Sequence, residues 1–280
     1  MKRNILKIQS IILSAVLFVA CGDEQQYFTD ITTPSSGAYV KFLHAASDSV
    51  RVVNGATSVV GVNFFLDGDR VTATGVTTEY SPTEMGYAGA FPSTNYAVFQ
   101  PGTYQMEVIV PERKVIYLGP PVNTVPYLQK IMLKRELIID ADKYYTVAYA
   151  GVFQNYEPVV IDDSGVEKLP LDGKAYIRFV NLIHNSTGAD LLGVEVVPAA
   201  GNSTVLADYT GYKSSTGFLA VIPGDYTLKL FNATTRANVA TGLATSTGRF
   251  VGNKVYTLYA RGQIGGATPK APAIDRMVNR

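Results

Sequence analysis

Three blocks of this chain recur in the same order, and that duplication limits its fold more than any other feature. Ala38-Tyr-Val-Lys-Phe-Leu-His44 is matched by Ala175-Tyr-Ile-Arg-Phe-Val-Asn181, each alternating apolar and polar residues as a half-buried strand does. A second block runs from Gly86 to Glu107 and returns from Asp208 to Lys229. In it Tyr87, Gly89, Ser93, Thr94, Tyr96, Pro101, Gly102 and Tyr104 meet Tyr209, Gly211, Ser215, Thr216, Phe218, Pro223, Gly224 and Tyr226. Pro-Gly-Thr-Tyr and Pro-Gly-Asp-Tyr read as tight turns, Pro fixing φ at one corner and Gly accepting positive φ at the next. A third block pairs Lys143, Tyr145, Thr146 and Gly151 with Lys254, Tyr256, Thr257 and Gly262, and reads as the closing strand of each copy.

Repeats of this length are domain-sized. The absence of Trp beside 18 Tyr and 25 Gly, with Val and Thr abundant, favours strands and turns over helices. The expected fold is all-β: two tandem antiparallel β-sandwiches of Ig-like or transthyretin-like type, residues 38–165 and 172–265. A linker falls near Asp162 to Gly173, and residues 266–280 are expected to be a C-terminal tail. Copy one is longer chiefly through residues 111–142. There Val115 to Leu118 and Ile131 to Ile139 are expected to supply extra strands, and there the copies would differ in function.

Ahead of the repeats, Lys2, Arg3 and Lys7 precede an apolar run, Ile8 to Ala20, broken only by Gln9, Ser10 and Ser14. A basic start and an apolar run shorter than the ~20 residues of a spanning helix predict a secretory signal peptide, residues 1–20. Phe18-Val-Ala-Cys21 resembles the lipobox of bacterial lipoproteins, with Ala20 as the small residue before cleavage and Phe18 where Leu is usual. The resemblance implies that the Cys21 thiol receives a diacylglycerol. Cys21 is the single cysteine of the chain, so it has no intramolecular disulfide partner, and lipidation explains an odd cysteine in an exported protein. Residues 21–37 then read as a polar, flexible, lipidated tether. Its Asp23-Glu24 pair resembles the acidic signals by which some Gram-negative lipoproteins reach the outer face of the outer membrane. The expected location is the bacterial outer membrane, reached through the N-terminal lipid, on the periplasmic or the cell-surface face with the surface favoured.

His44-Ala-Ala-Ser-Asp48 closes the opening strand, Tyr87-Ala-Gly89 follows, and Pro101-Gly-Thr-Tyr104 makes a later turn. In these features the chain after residue 37 resembles the family called domain of unknown function 4397, whose members are exported β-sandwich domains often found in tandem. Copy two departs from the pattern, with Asn181 in place of the His and no Ala-Ala-Ser-Asp. The shared motifs are turn and core patterns, and the family implies no activity.

Charge and chemistry narrow the functions. With 24 Lys and Arg against 23 Asp and Glu, there is no net field to draw nucleic acid. A hydroxyl or thiol nucleophile needs a neighbouring base, and the chain offers two histidines. His44 aligns with Asn181. An amide replaces a hydrogen-bonding residue but not a proton-transferring one, so His44 is read as tying a loop. His184 is read as a solvated loop residue. Asp67-Gly-Asp69, Asp140-Ala-Asp142 and Asp162-Asp163 lack the full set of oxygen ligands that calcium loops supply, and the first reads as a hairpin turn. No zinc cluster, phosphate loop or nucleophile elbow is present in the sequence. No catalytic residue, metal ligand or cofactor is therefore expected, and the chain is read as not an enzyme.

The tyrosines remain. Tyr87, Tyr209 and Tyr212, beside Ser93 and Ser215, lie in the recurring loop, where they either contact a ligand such as a stacked sugar or tie a corner of the sandwich through their hydroxyls. Three functions stay open. The preferred one is a lipid-anchored, non-enzymatic binding, adhesion or scaffold module, with a glycan as its candidate ligand. The second is a structural or accessory subunit of an outer-membrane assembly, with an envelope protein as partner. The third is a hydrolase using carboxylates such as Asp67 or Asp162.

Overall fold

A computed structural model describes residues 37–47, 50–53, 56–72, 74–78, 81–112, 128–152, 154–239 and 245–280. The expected signal peptide, Cys21 with the expected tether, and Val115 to Leu118 lie outside the described residues. The first half runs β1 (Ala38–His44), β2 (Val50–Val53), β3 (Ala56–Val59), β4 (Asn63–Leu66), β5 (Asp69–Arg70), β6 (Thr74–Thr78) and β7 (Ser81–Thr83). It continues through β8 (Ala90–Phe91), β9 (Ala97–Phe99), β10 (Gly102–Glu112), β11 (Leu128–Ile139), β12 (Tyr144–Val152) and β13 (Asn155–Asp162). The second half runs β14 (Ala175–Asn181), β15 (Leu192–Pro198), β16 (Thr204–Thr210), β17 (Leu219–Val221), β18 (Gly224–Asn232), β19 (Thr245–Phe250), β20 (Val255–Arg261) and β21 (Ala273–Val278). No helix among the described residues is long and apolar enough to cross a membrane.

Each half is a β-sandwich. In sandwich one the sheet β13-β12-β1-β8, with β9 also paired to β1, faces the sheet β11-β10-β4-β5. Their inner faces meet in a core that includes Val40, Phe42, Phe64, Met106, Val108 and Val147, all fully buried. In sandwich two the sheets are β17-β14-β20-β21 and β16-β15-β18-β19, around Ile177, Phe179, Val194, Leu228, Leu230 and Leu258.

The sandwiches are not purely antiparallel. In each, the opening strand runs parallel to the strand of the third block, Tyr39 to His44 beside Tyr144 to Tyr149 in one and Tyr176 to Asn181 beside Val255 to Ala260 in the other. That strand is not the closing one, since β13 and β21 follow. A parallel pair needs a long crossover, and here the whole intervening sandwich supplies it.

The opening strands are also not half-buried. β1 is buried at every residue but Tyr39, and β14 at every residue. The alternating polar positions do not meet water, because the sheet β13-β12-β1-β8 packs its outer face against that of β17-β14-β20-β21. Leu43, Ala45, Ala148, Ala150, Val159 and Ile161 there join Val180, Leu182, Tyr259 and Met277 in one apolar cluster. Alanines on the first face leave room for Tyr259 on the second, whose hydroxyl donates to the Ala88 carbonyl at 2.7 Å. Four sheet layers and one seam result.

Two further expectations are corrected. Residues 266–280 are not a tail, since β21 pairs with β20 from Tyr256–Val278 to Arg261–Ala273 and buries Ala273, Ile274 and Met277. Ile131 to Ile139 is not an extra strand either. It belongs to β11, which pairs with β10 from Gly102–Ile139 onward, as β19 pairs with β18 from Gly224–Phe250. Copy one has a longer hairpin in the same place.

Candidate functional site

Side chains alternate across a strand, so the residues facing away from each core form cross-strand rows on the seam-facing sheets. In sandwich one the rows are Tyr39–Tyr144, Lys41–Thr146 and Leu43–Ala148; in sandwich two they are Tyr176–Val255, Arg178–Thr257 and Val180–Tyr259. The apolar third row lies in the seam cluster. The other two rows carry the chemistry.

The second rows meet around Asp163, which follows β13 and is fully buried. One Asp163 oxygen pairs with the Arg178 guanidinium. The other accepts from Thr146 Oγ1 at 2.6 Å and from Tyr96 Oη at 2.8 Å. Arg178 Nε donates to Thr257 Oγ1 at 3.0 Å, and Thr257 donates to Asn279 Oδ1 at 2.7 Å. Asn279 Nδ2 returns to the Tyr96 oxygen at 2.6 Å and so closes the network. Asn279 follows β21 as Asp163 follows β13. Lys41 Nζ donates to the Pro92 carbonyl at 2.7 Å; burial pushes its ammonium down to about 8, and the Asp163 charge opposes that shift. Burial likewise drives the Tyr96 phenol far above its ordinary range, with the Asp163 charge adding to it. A buried carboxylate is tolerable because each oxygen has donors and a guanidinium balances its charge.

The first row of sandwich one opens onto a cleft of about 240 Å³. Tyr39 and Tyr144 stack at 4.3 Å between ring centroids and 6° between planes, and Tyr96 meets Tyr144 edge-on at 5.2 Å. Val98 and Asn95 line it from sandwich one, Val166 and Glu167 from the linker, and Asn279 and Arg280 from beyond β21. Arg280 is held by its Nη1, which donates to the carbonyls of Val166 and Leu169 at 2.9 and 3.0 Å.

The five residues of the recurring loop have separate fates. The Tyr87 ring lies beneath the Arg261 guanidinium, 4.3 Å from centroid to carbon, and edge-on to His44. Tyr212 is half-buried against the seam cluster, and the neighbouring Lys213 pairs with Glu157 of sandwich one at 2.5 Å. Tyr209, aligned with Tyr87, is 59% exposed. Ser93 and Ser215 are exposed. The corner role falls to other tyrosines: Tyr104 Oη donates to the Gln100 carbonyl at 2.6 Å and Tyr226 Oη to the Ile222 carbonyl at 2.8 Å.

His44 is fully buried, with Nε2 2.8 Å from the Val60 carbonyl, and burial lowers its pKa to about 4. It is therefore neutral at pH 7 and ties a loop, as Asn181 does through Ser186 and the Thr210 carbonyl. His184 is half-buried in the loop after β14. Asp67 and Gly68, at φ 50° and 90°, make the β4–β5 hairpin turn, and Asp67 accepts from the Gln105 amide. Asp162 caps the Ser164 amide. Among the described residues no group of three or more His, Cys, Asp or Glu is placed to hold a metal ion. The Asp163 network escaped the sequence reading, although Lys41 with Arg178 and Thr146 with Thr257 recur as polar residues in otherwise apolar strands.

The fold and seam define a class, a protein of two β-sandwiches joined face to face. The family described as Domain of unknown function (DUF4397) matches residues 38–192, and the chain belongs to it. The matched span takes in sandwich one, the linker and the first strand of sandwich two. No curated protein matches the sequence. Solved structures with some likeness include a candidate cell adhesion protein from Bacteroides uniformis ATCC 8492, with 9% identity, 87% of this chain and 98% of that one covered, and a TM-score of 0.21. Another, from Bacteroides ovatus ATCC 8483, has 9% identity, coverage of 87% and 96%, and a TM-score of 0.22. GBS52, the minor pilin of Streptococcus agalactiae, has 11% identity, coverage of 84% and 99%, and a TM-score of 0.20. TM-scores of this size carry no argument, and the adhesion and pilin names stay with those proteins.

Proposed function

We propose that the chain is a lipid-anchored, non-enzymatic binding module of the bacterial envelope, tethered at the outer membrane through Cys21 and displaying its double sandwich to a glycan. The signal sequence and the lipobox-like Phe18 to Cys21 support export and anchoring. The observation that carries the non-enzymatic reading is the placement of the groups best suited to chemistry. His44, Lys41, Asp163 and Arg178 are buried and engaged in holding the fold together. The carboxylates weighed for hydrolysis, Asp67 and Asp162, cap turns. What opens outward instead is an aromatic cleft, which suits recognition.

Two experiments test this reading. Cys21→Ala is expected to abolish radiolabelled palmitate incorporation and release the protein from membranes, and unchanged labelling overturns the anchor. A glycan array with the full chain in detergent is expected to show selective binding, and an array without a signal overturns the glycan partner. The envelope-subunit reading draws on the edge strand β16, where Val205 is 48% exposed. A stable partner recovered from native membranes would favour it over a monomer that binds glycan alone.

A further inference from the structure

We propose that the cleft over Tyr39 and Tyr144, at the end of the seam, is the glycan site and seats one pyranose ring. This rests on the glycan reading above and replaces the recurring loop as its location. A pyranose has an apolar C–H face and a rim of hydroxyls, so its site needs an aromatic surface bordered by groups that donate and accept. Tyr39 and Tyr144 stack face to face, so the aromatic surface they turn to the cleft is the outside of the pair, and both residues are half-buried. Asn95 and Glu167 are exposed at the rim, so a carboxamide and a carboxylate are offered to a set of hydroxyls, while Arg280, tied by Nη1 to the Val166 and Leu169 carbonyls, backs the wall. A cleft of about 240 Å³ is below the ~300–1,000 Å³ of drug-sized sites, and one sugar ring is the matching scale.

The walls are fixed in advance. Tyr96 is held by Asp163 and Asn279, and the strand register sets Tyr39 against Tyr144. Little ordering is left to occur on binding, which favours affinity for a small ligand. Sandwich two shows that open rings at this position are not required by the fold. There the equivalent Tyr176 and Val255 are 7% and 0% exposed beneath Val166, Leu169 and Phe218.

The test is saturation-transfer NMR on the full chain in detergent with methyl pyranosides of glucose, galactose, mannose, N-acetylglucosamine and glucuronic acid as probes. At least one probe is expected to bind. Tyr144→Ala and Asn95→Ala are each expected to weaken that probe about ten-fold or more, while Tyr144→Phe, which keeps the ring, restores most of the affinity. Asn95 is exposed in a loop, so its variant keeps the site testable even where Tyr144→Ala perturbs folding. A parent that binds no probe overturns the glycan reading and the site together. A probe that binds the parent and both alanine variants equally overturns the site alone, and loss on Tyr209→Ala instead returns it to the recurring loop.

Discussion

Sandwich one and sandwich two carry the same three positions at the same end of the seam, yet one end is open and the other is sealed. Tyr39, Tyr144 and Tyr96 correspond to Tyr176, Val255 and Phe218. The polar residue behind them is matched too, Lys41 Nζ standing 5.3 Å from the Tyr96 ring centroid and Arg178 Cζ 4.9 Å from that of Phe218. The difference arises partly within the repeats, where Val255 stands in place of Tyr144, and partly outside them. The linker's short 3-10 turn, Val166–Lys168, drops Val166 onto Tyr176 and Val255, and Asp172 accepts from the Tyr176 hydroxyl. The duplicated strands thus set the frame, and one changed side chain in them together with the segment between them leaves one copy open and the other sealed.

The comparison can be broken most severely through Asp163, the carboxylate that serves both copies. Asp163→Ala leaves Arg178 buried without its counter-ion and is expected to cost about 3–5 kcal/mol, read as a fall in melting temperature of roughly 10 °C or more. A shift of a degree or two would mean that the seam does not depend on it. The next effect distinguishes the copies by acid. Burial, with the Arg261 charge adding and the Val60 carbonyl opposing, holds the His44 pKa at about 4 against an ordinary 6.5. Between those values the unfolded chain binds a proton that the folded chain refuses. Stability therefore falls as pH drops through this window, by about 3 kcal/mol at its lower end. Sandwich two has Asn181 there, which does not titrate. His44→Asn is expected to flatten the plot of melting temperature against pH between 6.5 and 4, and an unaltered slope would place the acid sensitivity elsewhere.

A smaller contrast separates the sealed end from the open one. Val166→Ala is expected to cost about 2 kcal/mol, because the side chain is 2% exposed. Val98→Ala, 40% exposed beside the open cleft, is expected to cost under ~0.5 kcal/mol. Chemical denaturation measures both, and equal losses would remove the distinction. The smallest expected effect is common to the copies. Tyr104→Phe and Tyr226→Phe each remove one corner hydrogen bond worth about 1 kcal/mol, and a large inequality would show that the corners are not equivalent.

The duplication and the β-sandwich class were legible because turn chemistry and alternation are local signals. The seam was not. Alternation in Ala38 to His44 looks the same whether Lys41 faces water or a second sheet, and only its recurrence as Arg178 hinted at a shared buried use. β21 is not legible because Ala273 to Val278 has no counterpart in the recurring blocks and does not alternate: Asp275 and Arg276 stand together between Ile274 and Met277, which face two different cores. Tyr39 was in view as a strand residue. Its companions Asn95, Glu167 and Arg280 come from a loop, the linker and the end of β21, so no spacing rule groups them. Tyr87 and Tyr209 misled in the opposite way, since alignment made them equivalent while Arg261 covers one and solvent meets the other.

The parallel pairing of each sandwich's first strand with its next-to-last strand also governs how such a chain acquires its shape. Tyr39 waits for Tyr144, roughly a hundred residues later, before it has its neighbour, and Tyr176 waits nearly as long for Val255. Contacts this far apart in sequence put folding in the slow, millisecond-to-second regime of all-β domains. During that interval Val40 and Phe42 lie on a strand without its long partner, a surface prone to pairing with other chains. Each sandwich closes only when its final long strands arrive, so truncation within β12 or β20 is far more damaging to assembly than the few residues removed would suggest.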